Sequence, residues 1–244
     1  MATQNAITFS ALAKNNLCYK AAKKMPDGSP AGIIIHSTGA NNPNLWRYVD
    51  APDICGENKY GTHWNVPEPI SGSGKPTKIC CHCFIGKDKD GKVRAAKILP
   101  WNICCWNCAD GSKGSYNFSP AYIQIEICED ELDNPDRQYF EEAFSLAAQL
   151  CARLMKTYPT IKIENIISHK EAHDRGYASN HGDCDHWLGK FGKNMDWFRA
   201  LVKSGGVIET KYKITGTKTV GRDKLPEAQG QLKALGYEVT TEKV

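Results

Sequence analysis

The chain has 244 residues, 41% hydrophobic and 24% charged, the balance of a globular protein with a core of its own. A net charge of +4 suits a polyanionic surface modestly but falls short of the basic stripes of nucleic-acid binders. No run reaches the ~18 apolar residues of a membrane span, and the opening MATQNAITFSALAKNN shows no basic segment followed by an apolar core, so no secretory signal is expected.

Taken in chain order, AGIIIH (31–36) reads as a buried strand that ends on a histidine. The stretch from Asn41 to Lys78 is long and rich in proline and glycine, the signature of a loop that walls a binding cleft. Its rings, Trp46, Tyr48, Tyr60 and Trp64, either stack on sugars or on peptide or pin the loop to the body. ICCHCFIG (79–86) reads as a second strand. AYIQIEIC (121–128) alternates, with Tyr122, Gln124, Glu126 and Cys128 on one face and Ile123, Ile125 and Ile127 on the other.

The longest helix is expected to be capped by Asn134, with Pro135 in its first turn and Asp136 at the positive end of the dipole. Phe140, Ala143, Phe144, Ala147, Leu150, Cys151 and Leu154 then form one apolar face, and Pro159 stops the helix. KIENIISH (162–169) is a fourth strand, again ending on a histidine, and a shorter helix follows Asn194. The order implies an α/β fold, a mixed central β-sheet flanked by α-helices. After Gly206 the character changes to a polar, β-like stretch and a short helix, LPEAQGQLKALGYEV, leading into a strand. A unit of about 40 residues can scarcely hold a core alone. The expected organisation is a domain over 1–205 and a small C-terminal α+β appendage over 206–244, which packs on that domain or on a second copy of itself as a homodimer.

Eleven cysteines fall mostly in two clusters, Cys80, Cys81 and Cys83, then Cys104, Cys105 and Cys108. The odd total argues against a complete disulfide framework. The motifs leave a structural metal site open beside the simpler reading of small buried side chains.

The chemistry gathers at the strand ends. His36 and His169 both end predicted strands, and SHKEAHDRGYASNHGDCDHW adds His173, His181, Asp183, Cys184, Asp185 and His186 close behind. Two histidines and a carboxylate around an open position make a catalytic Zn2+ site, whose water ionises near neutral pH. Glu126, among isoleucines, is placed to shuttle protons if burial raises its pKa; the other reading is a buried ion pair.

These residues resemble the zinc-dependent N-acetylmuramoyl-L-alanine amidases, the class shared with peptidoglycan recognition proteins, and most of all phage or prophage endolysins. The resemblance covers about residues 17–203 and rests on IIIHSTG, HCFIGKDKDGKV, LPWNICCWNCADGSKGSYN, YIQIEIC and IISHKEAHDRGYASNHGDCDHW in that order. It implies His36 and His169 as zinc ligands and Asp183 as the third, with Cys184 and Asp185 as fallbacks. It implies Glu126 as the catalytic glutamate. His181 stands where many relatives carry a lysine that stabilises the oxyanion, and Asn107 stands where they often carry a histidine. Trp46, Trp64, Trp106 and Asn107 would contact the substrate, bacterial peptidoglycan, cleaved between N-acetylmuramic acid and L-alanine. An endolysin would wait in the host bacterial cytoplasm until lysis, and the C-terminal module would bind wall, dimerise or pack. Two rivals stand beside this: a recognition domain that holds peptidoglycan without cutting it, and a cysteine hydrolase with Cys128 as nucleophile.

Overall fold

A computed structural model describes residues 8–70, 74–208, 220, 222–235 and 239–240. The strands are β1 (Thr8–Ser10), β2 (Gly32–Ser37), β3 (Cys83–Lys87), β4 (Val93–Lys97), β5 (Tyr122–Ile127) and β6 (Ile166–Ser168). The helices are α1 (Leu17–Ala21), α2 (Pro52–Cys55), α3 (Arg137–Thr157), α4 (His169–Asp174), α5 (Asp185–Lys190), α6 (Met195–Lys203) and α7 (Leu225–Ala234).

The isoleucine run of β2 is buried at every position because β2 lies inside the sheet, ordered β1-β4-β3-β5-β2-β6. Every pairing is parallel except β3 with β4, so both faces must be covered. The expected mixed sheet with flanking helices is the observed α/β fold. One face carries Ile33, Ile35, Ile123, Ile125 and Ile127 and packs in a cluster with Phe140, Phe144, Leu150 and Leu154 of α3. The other carries Ile34, Tyr122 and Ile167, under Cys108 and Tyr116 of the 98–121 loop and Ala172 of α4. That loop sits tightly: a Cβ on Gly111 would come within 2.4 Å of the Gly176 carbonyl oxygen, so only glycine fits there.

Several boundaries differ from expectation. The cap of α3 is Asp136, whose side chain accepts from Tyr139 N–H, rather than Asn134, so the helix starts two residues later. Asn194 does cap α6, accepting from Trp197 N–H. The strand expected over 162–169 shrinks to β6, because 163–165 form a 3-10 turn and Ser168 caps α4, leaving His169 at a helix start. β1 and β4 were not foreseen. The strand expected over 79–86 begins at Cys83, and the residues ahead of it run beside the next loop, with Cys80 N–H bonded to the Trp106 carbonyl at 2.9 Å.

His82 is the reason that approach holds. It is fully buried; Nε2–H donates to the Ile103 carbonyl at 2.9 Å, and Nδ1 accepts from Gln124 N–H at 3.0 Å. Burial pushes its pKa down to about 4 from 6.5. Between those values the unfolded chain takes up a proton that the native imidazole refuses, so stability is lost as pH falls through that window. From pH 7 to 4.5 this one group is expected to remove about 2–3 kcal/mol. Chemical denaturation at the two pH values, compared with His82→Gln, checks it: the variant should lose that much less on acidification. Parallel losses in both proteins would refute the assignment.

The chain divides into two compact units, 1–208 and 209–244. In the second, α7 forms where a helix was expected and has no buried residue; Leu232 and Leu235 are exposed. The polar stretch 209–219 and residues 236–238 of the expected strand lie outside the described residues.

Candidate functional site

Three side chains from distant parts of the sequence meet beyond the ends of β2 and β6. His36 is the fifth residue of β2 and 1% exposed. His169 opens α4, held there by a capping box: Ser168 Oγ accepts from Glu171 N–H, and the Glu171 carboxylate accepts from Ser168 N–H. Arg199 of α6 grips the same carboxylate through both nitrogens at 2.9 and 3.0 Å. The third side chain arrives on the loop before α5, where His169 N–H donates to the Asp183 backbone carbonyl at 3.1 Å.

His36 Nδ1 lies 2.9 Å from Asp183 Oδ2 and 3.2 Å from His169 Nδ1, which is 3.4 Å from Asp183 Oδ1. Each ring turns its other nitrogen to an acceptor: His36 Nε2 to Gln124 Oε1 at 2.9 Å, and His169 Nε2 to Ser179 Oγ at 3.3 Å. Those partners place the hydrogens on Nε2 and leave both Nδ1 lone pairs aimed inward with a carboxylate. Three electron-pair donors converging on one point repel unless a cation sits among them. Two imidazoles and a carboxylate suit a borderline-soft divalent ion, Zn2+ above all. Among the described residues this is the one group of three His, Cys, Asp or Glu so arranged.

Protons compete with a cation for these inward lone pairs. Burial opposes a charge on His36, but the Asp183 hydrogen bond and the Glu126 and Asp183 charges outweigh it, so its pKa is raised. Burial lowers that of His169, and Asp183 only partly offsets it. Asp183 is held well below the usual carboxylate range: burial works against ionisation, and the bonds to His169 and His36 win.

Glu126 stands beside His36 by register, since the two pair directly across β5 and β2. Its Oε1 accepts from Asn107 Nδ2 at 2.9 Å, while Oε2 is buried and meets no partner among the described residues, and the same holds for Asn107 Oδ1. Burial pushes the carboxyl up to about 7, against the pull of His36. A carboxyl in that range, with a free oxygen, can both take and return a proton near neutrality.

The other predicted positions fall less evenly. His181 stacks on His169 with ring centroids 4.9 Å apart, Nδ1 3.8 Å from Asp183 Oδ1, and stays exposed. Cys184 and Asp185, the fallback ligands, lie elsewhere: Cys184 is buried in the α3 cluster with Trp187 and Leu188, and Asp185 sits half-buried in the first turn of α5. Trp64 is a correction. It is buried against Phe84, centroids 4.8 Å apart, with Tyr48 at its edge, so it pins the loop instead of lining a groove. Trp46 and Trp106 remain half-buried, beside Tyr60 and Phe118. His186 bonds the buried Glu129 at 2.9 Å and His173 the Ala178 carbonyl, so both act structurally. Ten of the eleven cysteines are buried free thiols, Cys18 half-buried. Cys128 packs among Leu45, Tyr48 and Trp64, and burial holds its thiol well above the ordinary value, the wrong direction for a nucleophile.

Three residues escaped the sequence reading: Gln124, Ser179 and Asn117, the last fully enclosed with its oxygen on Gln124 Nε2 at 2.8 Å. A glutamine inside an isoleucine strand, two residues before Glu126, was the available signal.

Comparison with known proteins follows the same lines. Residues 26–185 match the family model described as N-acetylmuramoyl-L-alanine amidase. No curated protein matches the chain by sequence. Among solved structures, PlyL superposes with a TM-score of 0.51 at 21% identity, over 83% of this chain and 99% of PlyL. The Staphylococcus aureus hydrolase AmiA, solved with its ligand, gives 0.47 at 15% identity over 82% of each chain. The Ph2119 endolysin of a Thermus scotoductus MAT2119 bacteriophage gives 0.43 at 17% identity, over 82% of this chain and 98% of its own.

Proposed function

The chain belongs to the N-acetylmuramoyl-L-alanine amidase family, and on that premise we propose that it is an endolysin-like zinc amidase that cleaves bacterial peptidoglycan between N-acetylmuramic acid and the L-alanine of the stem peptide. The observation that carries this reading is the convergence of His36, His169 and Asp183 beside Glu126. Zn2+ held by those three would supply Lewis acidity and lower the pKa of a water. Glu126 takes the proton of the attacking water on its free Oε2 and delivers it to the leaving alanine nitrogen. Asn107 holds the other carboxylate oxygen and so aims the free one. His181, exposed over His169, donates to the oxygen on which negative charge develops. Trp46 and Trp106 offer faces to the sugar-peptide.

The test is incubation of the purified protein with bacterial walls. Turbidity should fall while new N-terminal alanine amines appear; a chelator should stop both and added Zn2+ restore them. Binding without new amines would reassign the chain as a recognition domain. Activity that survives chelation but not iodoacetamide would reassign it as a thiol hydrolase.

A further inference from the structure

Asn117 lies in the loop between β4 and β5, 1% exposed, and Gln124 of β5 is fully buried. The backbone N–H groups of Asn107 and Cys108 both point at Asn117 Oδ1, at 3.0 and 3.2 Å. A backbone amide can only donate, so that atom is the oxygen, and the Asn117 nitrogen turns away to the Ala109 carbonyl at 3.1 Å. The Gln124 atom 2.8 Å from Oδ1 must then be its nitrogen. This turns Gln124 Oε1 toward His36, where at 2.9 Å it requires a hydrogen on Nε2. A neutral imidazole carries one N–H, so Nδ1, the atom that faces His169 and Asp183, keeps its lone pair. Two backbone amides thereby select the tautomer of His36 through two side-chain amides. The same Asn117 oxygen anchors the backbone of Asn107, whose side chain donates to Glu126.

We propose that Asn117 is a positioning residue shared by both halves of the site: through Gln124 it sets the tautomer and orientation of His36, and through Asn107 it aims Glu126. The Glu126 arm rests on the hydrolase reading above; the His36 arm does not. The node touches neither substrate nor metal, and its leverage comes from serving two short relays in a buried network, where the loss of one member frees several others.

Three variants test it: Gln124→Leu, Asn107→Ala and Asn117→Ala. Zinc affinity is read without substrate by competition with a chromophoric chelator, and kcat and KM on a soluble peptidoglycan fragment. Gln124→Leu is expected to weaken zinc about 10–100-fold. Asn107→Ala should leave zinc affinity at the wild-type value and lower kcat about tenfold or more, with KM held. Asn117→Ala should do both, and adding Asn107→Ala to it should lower kcat no further, the non-additivity of residues in one network. The proposal is overturned if folded Asn117→Ala keeps wild-type zinc affinity, or if its kcat loss adds fully to that of Asn107→Ala. Should Asn117→Ala lose its near-UV circular dichroism, the arms still decide: unchanged zinc affinity in Gln124→Leu, or an equal loss in Asn107→Ala, removes the relay. A wild type that binds zinc yet releases no amines from walls would sink the hydrolase reading, and the zinc measurements alone would then uphold or refute the His36 arm.

Discussion

Glu126→Gln is expected to lower kcat about a thousandfold, within the range general acid–base catalysis supplies, while making the metal-free protein more stable. The first half follows from chemistry: an amide accepts no proton at neutral pH. It keeps an oxygen for Asn107 Nδ2, so the fold and the neighbouring His36 should be undisturbed. The second half follows from burial. A carboxyl pushed up to about 7, from an ordinary 4.5, destabilises the native state increasingly as pH rises through that window, because the unfolded chain releases its proton first. At pH 8 the neutral glutamine is expected to add up to about 3 kcal/mol, read by urea denaturation in the presence of chelator. KM and zinc affinity should stay at wild-type values. A variant that keeps a tenth or more of wild-type kcat would take Glu126 out of the proton transfer; one that loses both activity and stability would make it a structural group.

What was legible in the sequence is where local pattern and tertiary packing agree. The apolar face of α3 was readable, because Phe140, Phe144 and Leu150 recur with the helix period and tertiary packing agrees with local preference. β2 was readable for the same reason: three isoleucines ending on a histidine describe a fully buried strand whose end reaches the sheet margin. β5 shows the limit. Its alternation separates a polar from an apolar face, and Glu126 among isoleucines is expected to be buried; that Gln124 is buried with it, against Asn107 and Asn117 of the 98–121 loop, the alternation does not say. The polar half of that strand faces the site network, and alternation cannot distinguish solvent from a buried polar layer.

The candidate metal-site residues follow the same rule. His36 and His169, which converge with Asp183, were legible because each follows an apolar run, although His169 proves to open a helix, where a capping box and not a strand fixes its direction. Asp183 among four neighbouring donors was named from the family resemblance and not from spacing; backbone contact with His169 N–H is what brings that residue, rather than Cys184 or Asp185, to the histidines. Trp64 failed for a related reason. A tryptophan in a long loop looks available to a ligand, and only the packing against Phe84 and Tyr48 shows it spent on holding the loop. Asn117 carried no local signal, since its meaning lies in contacts with Asn107, Cys108 and Gln124 that exist only once the loop folds over β5.

Asp183→Ala is expected to weaken zinc binding by more than about a hundredfold, since removing even an outer-shell partner costs 10–100-fold, and to abolish wall hydrolysis with it. The carboxylate supplies one of three donors, and without it two imidazole nitrogens 3.2 Å apart remain as an incomplete site. The loss should show without any substrate. Zn2+ at about a thousand times its Kd is expected to stabilise the wild type by about 4 kcal/mol, because it binds the native chain and not the unfolded one. In Asp183→Ala that zinc-dependent rise in Tm should vanish, and chelator should leave the variant where it was. Cys184→Ser and Asp185→Asn serve as the discriminating controls. Cys184 is a core thiol among Trp187 and Leu188, and Asp185 sits in the first turn of α5 outside the group of three converging donors, so both variants should keep the zinc-dependent rise in Tm even if their baseline stability falls. A full zinc response in Asp183→Ala, with its loss in either control, would move the third ligand and break the pairing of His36 and Asp183 on which the site is built.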